Sequence, residues 1–185
     1  GKKHLIVSTI EHHAILYSAK ALEKEGFEVT YLPVNQYGQV EPQALEQAIR
    51  PDTALVSIMF ANNEIGTINP VAELGRVCHE KGVVFHTDAV QAYGHVPIDV
   101  KAMNIDMLSL SGHKINAPKG VGAIYVRKGI RLEPQLTGGG QERGLRSGTE
   151  NIASIVGLGE AARLKRVNME RETAYIGALS RKLID

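Results

Sequence analysis

Asp106-Met-Leu-Ser-Leu-Ser-Gly-His-Lys114 is the stretch that most strongly predicts both a fold and a site. An apolar run ends in small and polar residues, and a lysine follows a histidine directly. This order is typical of a buried strand whose carboxyl end carries the lysine, and open α/β sheets bind ligands at that edge. There Lys114 could form an imine with an aldehyde cofactor. A lysine in a solvated turn is the alternative interpretation.

Apolar strands alternate with helical stretches along the whole chain. Periodicity predicts six strands, at residues 4–8, 27–32, 53–60, 83–86, 107–110 and 121–126. Helices are predicted at residues 14–25, 42–49 and 70–81, and from about residue 151 to the end. This alternation predicts an α/β fold with a mainly parallel sheet covered by helices on both faces.

Length and composition restrict the classes of function. The 185 residues suit one domain, and a net charge of +1 without a basic block gives no indication of a nucleic-acid partner. No apolar run reaches transmembrane length, and the histidine spacing predicts no metal site. Cys78 is the single cysteine, so no internal disulfide forms and a reducing compartment is expected. Because Cys78 lies in a predicted amphipathic helix, a small buried hydrophobe is favoured over a reactive thiol.

Polar side chains are concentrated where predicted strands end. Four clusters do this, at residues 8–13, 61–64, 87–91 and 111–114. In a parallel sheet the carboxyl ends of the strands lie along one edge, so we expect the clusters to converge on a single crevice.

Pyridoxal 5'-phosphate is a cofactor whose requirements these clusters could meet. It needs a lysine for its aldehyde, a carboxylate for its ring nitrogen, groups that hold its phosphate, and a flat side chain over its ring. The candidates are, in that order, Lys114, Asp88, the pair Ser111 and His113, and His12, with Gln91 and Asn63 as neutral donors.

Each candidate also has an ordinary structural interpretation. Asp88 could cap a turn or a helix, and His12 could be a surface histidine. Asn63 is in a typical turn sequence, and the glycines at 138–140 indicate a flexible loop more readily than a phosphate cradle. The occurrence of all the candidates together, in order, at strand ends favours the cofactor site.

Five motifs resemble those of a known family. The segment at 111–122 resembles the cofactor-lysine signature of class V aminotransferases. The segments at 9–14, 61–67, 86–91 and 138–151 are similar to those of cysteine desulfurases of the nitrogen-fixation and iron–sulfur cluster type. The resemblance covers essentially the whole chain and implies the large domain of fold-type I pyridoxal-phosphate enzymes, a three-layer α/β/α structure.

The resemblance implies a role for each residue around the cofactor ring. Lys114 would bind the aldehyde, and Asp88 would pair with the ring nitrogen. Gln91 would donate to the ring oxygen, His12 would stack on the ring and act in acid–base steps, and Asn63 would orient cofactor and substrate.

The resemblance also implies a phosphate site, an assembly and a reaction. Ser111 and His113 would hold the phosphate, and Thr149 would reach it from the partner subunit of a homodimer. The family converts L-cysteine to L-alanine and leaves the sulfur as a persulfide on an enzyme cysteine, from which a sulfur-acceptor or iron–sulfur scaffold protein receives it. A cytoplasmic location is implied, or the mitochondrial matrix in a eukaryote.

The sequence departs from the family pattern at both ends. An N-terminal segment with a phosphate loop and a C-terminal small domain with the catalytic cysteine loop are not found in it. We therefore expect residues 1–185 to be the central part of the cofactor-binding large domain and to be inactive by itself. A selenocysteine lyase, another enzyme of the class V type, and a non-catalytic dimerisation or interaction fragment remain alternatives.

Overall fold

A single six-stranded sheet organises the chain. The computed structural model describes residues 1–184. The strands are β1 His4–Ser8, β2 Glu28–Leu32, β3 Thr53–Ser57, β4 Val84–Asp88, β5 Met107–Ser111 and β6 Gly122–Val126. Their order across the sheet is β2-β1-β3-β4-β5-β6. Every neighbouring pair is parallel except β5 and β6, which are antiparallel.

Helices lie on both faces of this sheet, as predicted. They are α1 His13–Lys24, α2 Pro42–Ala48, α3 Val71–Glu80 and α4 Ile152–Ile184. Helix α1 packs on β1 and β2, whereas α2 and α3 pack on β2 and β4 and on each other. From β1 the chain crosses to β2 at one edge of the sheet, whereas the crossovers from β2 to β3 and from β3 to β4 run toward the other edge. Because such crossovers are right-handed, α1 lies on one face of the sheet and α2 and α3 lie on the other. The expected α/β class is confirmed.

The main apolar core lies between the sheet and the pair α2–α3. Ile6, Val56 and Phe85 point from three adjacent strands into this core and are fully buried. Leu45 of α2 and Leu74 of α3 cover them. Alternate residues near the ends of β3 and β4 face the other side of the sheet and are polar; they are Ser57, His86 and Asp88.

Two predicted strand ends were wrong by two or three residues, whereas the other boundaries agree to within one residue, and both of these ends bear on the site. The third strand was expected to reach Phe60, but the regular strand ends at Ser57, although the Ile58 and Phe60 N–H groups still donate to the backbone of β4. The fourth strand was expected to end at His86, but it continues to Asp88, which pairs with Ser109 of β5. Asp88 is therefore held inside the sheet rather than in the loop after it.

Close packing of α3 requires a glycine within the helix. A Cβ atom at Gly75 would overlap the backbone carbonyl oxygen of Met103, so the helix lies directly against the segment that leads into β5. None of the helices among residues 1–184 combines the length and apolar character needed to cross a membrane.

Candidate active site

Most of the predicted site residues lie along the carboxyl edge of the parallel strands. His12 follows β1, Asn63 follows β3, Asp88 ends β4, and Ser111 ends β5. His113 and Lys114 lie in a short 3-10 helix, Gly112–Ile115, directly after β5. Because β1, β3, β4 and β5 run parallel, these positions share one edge of the sheet, as the sequence predicted.

A cavity opens where the strand order reverses, between the ends of β1 and β3. Its volume is about 290 Å³. His12 and Asn63, both predicted as site residues, line it together with Glu11 and Asn62. The reversal point is where open α/β sheets commonly bind ligands, because the two loops diverge from each other there.

His12 occupies the N-terminal cap of α1. Its Nδ1 accepts a hydrogen bond from the Ala14 N–H at 3.2 Å. This contact requires Nδ1 to be unprotonated, so a neutral ring carries its proton on Nε2. The next residue, His13, stacks on Tyr17 with ring centroids 5.0 Å apart. Both histidines line the cavity, but only the His12 ring caps the helix, whereas the His13 ring stacks on Tyr17.

Asp88 presents a buried carboxylate at the end of β4. Its exposed fraction is 8%. The Val90 N–H donates to Oδ1 at 2.9 Å, and the backbone of Asp88 is fixed on both sides, by the Phe60 N–H and by pairing with Ser109. Gln91 lies three residues further on and is half-buried. A carboxylate held in this way has a fixed position and little water around it, so it would favour a nearby positive charge.

His86 links three strands beside Asp88. Its Nδ1 lies 2.7 Å from Ser57 Oγ of β3, and its Nε2 lies 2.9 Å from Ser109 Oγ of β5. Burial lowers the pKa of His86, and the negative charge of Asp88 offsets part of that effect. The ring is therefore neutral around pH 7, and the bridge holds the ends of β3, β4 and β5 in register.

The lysine-bearing turn is defined by local packing. Ser111 Oγ lies 2.8 Å from His113 Nδ1, so these two predicted phosphate ligands are already in contact. A Cβ atom at Gly112 would approach Val121 to 2.9 Å, so the turn closes tightly against the start of β6. His113 and Lys114 are exposed beyond this turn. The structure thus places a primary amine and two polar groups just past β5, on the strand next to Asp88.

The comparisons with known proteins agree on one family. The model of the aminotransferase class-V family matches residues 1–185. The chain belongs to the class-V aminotransferase family.

Two curated relatives of this chain are cysteine desulfurases. The cysteine desulfurase IscS of Methanosarcina thermophila is 57% identical over 183 residues, which are 99% of this chain and 45% of that protein. The mitochondrial cysteine desulfurase of Saccharomyces cerevisiae is 55% identical over 185 residues, or 99% of this chain and 37% of that protein. This class-V aminotransferase chain therefore spans less than half the length of these curated relatives.

Among solved structures, a NifS-like protein superposes with a TM-score of 0.96 and 43% identity, covering 99% of this chain and 51% of that one. A structure described as SspA in complex with cysteine gives a TM-score of 0.86 and 51% identity, covering 88% of this chain and 47% of that one. The fold of this class-V aminotransferase chain is thus that of NifS-like proteins.

Cys78 of this class-V aminotransferase chain is a core residue, as predicted. It lies within α3 and is fully buried. Burial, with a smaller contribution from Asp106, raises the pKa of its thiol to about 12. Since the thiolate is the nucleophilic form, Cys78 is not a reactive thiol in the folded chain.

Two buried residues at the edge were not predicted as site residues. Glu11 is 4% exposed and Asn62 is 7% exposed, although each stands directly before an exposed residue, His12 or Asn63. The sequence signal that could have found them is their place in the polar clusters after β1 and β3.

Thr149, by contrast, is exposed in the loop before α4, and no hydrogen bond within residues 1–184 ties it to the other predicted site residues.

Proposed function

We propose that this chain is the cofactor-binding part of a pyridoxal-phosphate-dependent cysteine desulfurase. The observation that supports this most is the placement of a buried carboxylate and an exposed primary amine on neighbouring strands. Asp88 ends β4, and Lys114 follows β5 by three residues. The names of the relatives, which are cysteine desulfurases, support the choice of reaction.

The residues at the edge fit the chemistry of this cofactor. Lys114 offers an amine for the aldehyde, and the Ser111–His113 pair offers polar groups for a phosphate. Asp88 offers a buried negative charge that would keep a ring nitrogen protonated, because an unpaired charge is costly in a site with little water. Pyridoxal phosphate, when bound, supplies an electron sink for negative charge at the substrate α-carbon.

The remaining predicted residues have supporting roles in this proposal. His12 would cover the ring of the cofactor and would move a proton at Nε2, since Nδ1 is engaged by the Ala14 N–H. Gln91 and Asn63 donate hydrogen bonds to the ring oxygen and to the substrate carboxylate. These assignments follow from side-chain chemistry and from position at the edge.

The proposed reaction transfers one sulfur atom. The carbon–sulfur bond of L-cysteine breaks, L-alanine is released, and an acceptor thiol becomes a persulfide. Because Cys78 is the single cysteine of this sequence and is buried, the acceptor thiol has to come from outside these residues. We accordingly propose that the chain by itself turns over L-cysteine poorly.

Assembly and location complete the proposal. We propose a homodimer in which Thr149 contributes to the partner's phosphate site, which is consistent with its exposure. A sulfur-acceptor or iron–sulfur scaffold protein would receive the sulfur. We propose a cytoplasmic location, or the mitochondrial matrix in a eukaryote, and the Saccharomyces cerevisiae relative is named as mitochondrial.

The cofactor assignment is tested by titrating the protein with pyridoxal phosphate. We expect a new absorbance band from the covalent bond to lysine, and borohydride reduction followed by peptide mapping should place the label on Lys114. Lys114→Ala should abolish the band, whereas Lys128→Ala, at an exposed turn lysine, should retain it. A band that persists in Lys114→Ala would refute the assignment.

A further inference from the structure

Glu11 joins the loop after β1 to the end of β3. Its Oε1 accepts hydrogen bonds from Ser8 Oγ at 2.6 Å and from the Met59 N–H at 2.8 Å. Ser8 and Met59 are themselves buried. The contact with Met59 connects residues that are 48 positions apart in the chain. Because Glu11 directly precedes His12, this bond fixes the backbone from which the His12 ring projects.

Asn62 makes the complementary connection from the other loop. Its Nδ2 donates to the backbone oxygen of Ile10 at 3.0 Å. Its Oδ1 accepts from the N–H groups of Glu64 and Ile65 at 2.8 Å and 3.0 Å, which closes the turn that contains Asn63. One amide side chain thus shapes its own loop and holds the neighbouring one.

We propose that Glu11 and Asn62 form an inter-loop latch and act as positioning residues that set the placement of His12 relative to Asn63. Glu11 and Asn62 are more than nine-tenths buried, whereas His12 and Asn63 are exposed. The inference rests on the proposed function only in assigning His12 and Asn63 to the cofactor. The latch itself is a property of the two loops.

The latch depends on the charge of Glu11. The groups that face its carboxyl are Ser8 of β1, the Met59 amide beyond β3 and, as the charged group, Asp88 of β4. Burial raises the pKa of Glu11 to about 7; the two hydrogen bonds offset part of this rise, and the charge of Asp88 adds to it. Within residues 1–184, Oε2 is buried without a hydrogen-bond partner. Ionisation would therefore add a buried negative charge beside that of Asp88, and we expect the latch to loosen as pH rises from about 4.5 to about 7.

Amide hydrogen exchange without added cofactor tests the latch directly. In Glu11→Ala the Met59 N–H loses its acceptor, so its exchange should accelerate about tenfold. In Glu11→Gln the amide oxygen still accepts, so protection should return. In Asn62→Ala the Glu64 and Ile65 N–H groups should exchange faster instead. Glu25→Ala, at an exposed position beyond α1, is the control that should change none of them.

Two measurements distinguish a positioning role of Glu11 from a general effect on stability: the pH dependence of Met59 N–H protection and the ring resonances of His12. Protection of the Met59 N–H should fall as pH rises from about 4.5 to about 7 in the unsubstituted protein but not in Glu11→Gln. The ring resonances of His12 should shift in Glu11→Ala and return in Glu11→Gln. An unchanged Met59 exchange rate or unchanged His12 resonances in Glu11→Ala would overturn the proposal.

Affinity for pyridoxal phosphate then relates the latch to the site. We expect Glu11→Ala to weaken binding about tenfold and Glu11→Gln to restore it. Equal affinity in all three proteins would overturn the positioning role. Failure of the unsubstituted protein to bind would instead overturn the proposed function and the role toward the cofactor, while the exchange results would still decide whether the latch exists.

Discussion

Replacing Glu11 by Gln should make the folded chain more stable at alkaline pH. The pKa of this carboxyl is about 7 in the folded chain, against an ordinary 4.5. The folded state therefore retains a proton that the unfolded state has released between these values, and stability falls as pH rises through them. Glutamine cannot ionise, yet its side-chain oxygen can still accept the hydrogen bonds from Ser8 and Met59.

The size of the effect follows from the two pKa values. The difference between 7 and 4.5 corresponds to about 3 kcal/mol, at about 1.4 kcal/mol for each pH unit. The whole of this penalty is present above the folded pKa, and none of it below the unfolded pKa. Because Glu11 is almost fully buried, solvent screening reduces the figure little.

Urea unfolding at about pH 4.5 and about pH 8.5 measures the free energy of unfolding of the unsubstituted chain and of Glu11→Gln, and the two are compared at each pH. The free energy of unfolding of Glu11→Gln, relative to the unsubstituted chain, should rise by about 3 kcal/mol between these conditions. Glu25→Gln, at an exposed position, should show almost no such rise. If the rise for Glu11→Gln were below about 1 kcal/mol, the carboxyl would not be neutral in the folded state and the reasoning would be wrong.

Three further predictions concern closely packed or buried positions. Gly75→Ala should destabilise the chain by about 1–3 kcal/mol in urea unfolding, because the new methyl group overlaps the Met103 carbonyl, whereas Gly159→Ala, with open space in α4, should stabilise it by about 0.5–1 kcal/mol. Burial lowers the pKa of His86, so the folded state disfavours its proton and stability is lost as pH falls below about 6.5. His86→Gln should reduce that loss in urea unfolding at about pH 5. An undiminished loss would contradict the lowered pKa of His86. Cys78 should resist a thiol reagent in the folded chain and react on unfolding, and rapid labelling without unfolding would contradict its burial.

Local patterns in the sequence predicted the sheet well because its strands are short apolar runs between breakers. The run His4–Ser8 agrees with the predicted strand residue for residue, and Gly26, with a positive φ of 85°, lies just past the end of α1. The helical periodicity around Cys78 also predicted its burial correctly. These features depend on neighbours only a few positions apart.

The errors and omissions have a common physical cause. The fourth strand was ended too early because Thr87 and Asp88 are polar, yet pairing with β5 keeps them in the sheet. Glu11 was passed over because its burial depends on Met59, far away in the chain. Neither effect leaves a local pattern, since a tertiary contact decides it. The roles of the individual site residues stay predictions; these residues are Lys114, Asp88, His12, Gln91, Asn63, Ser111, His113 and Thr149.

Because β5 and β6 are antiparallel, Lys114 and Asp88 depend on chain connections of different length. Lys114 sits in a hairpin connection, whose ends meet after a short loop closure, and Ser111 opposite Gly122 closes it. Asp88 reaches its place only when β3, β4 and β5 have assembled through crossovers of much greater span. We therefore expect the local geometry around Lys114 to form before Asp88 reaches its place, so that a partly folded chain would carry the amine without the carboxylate.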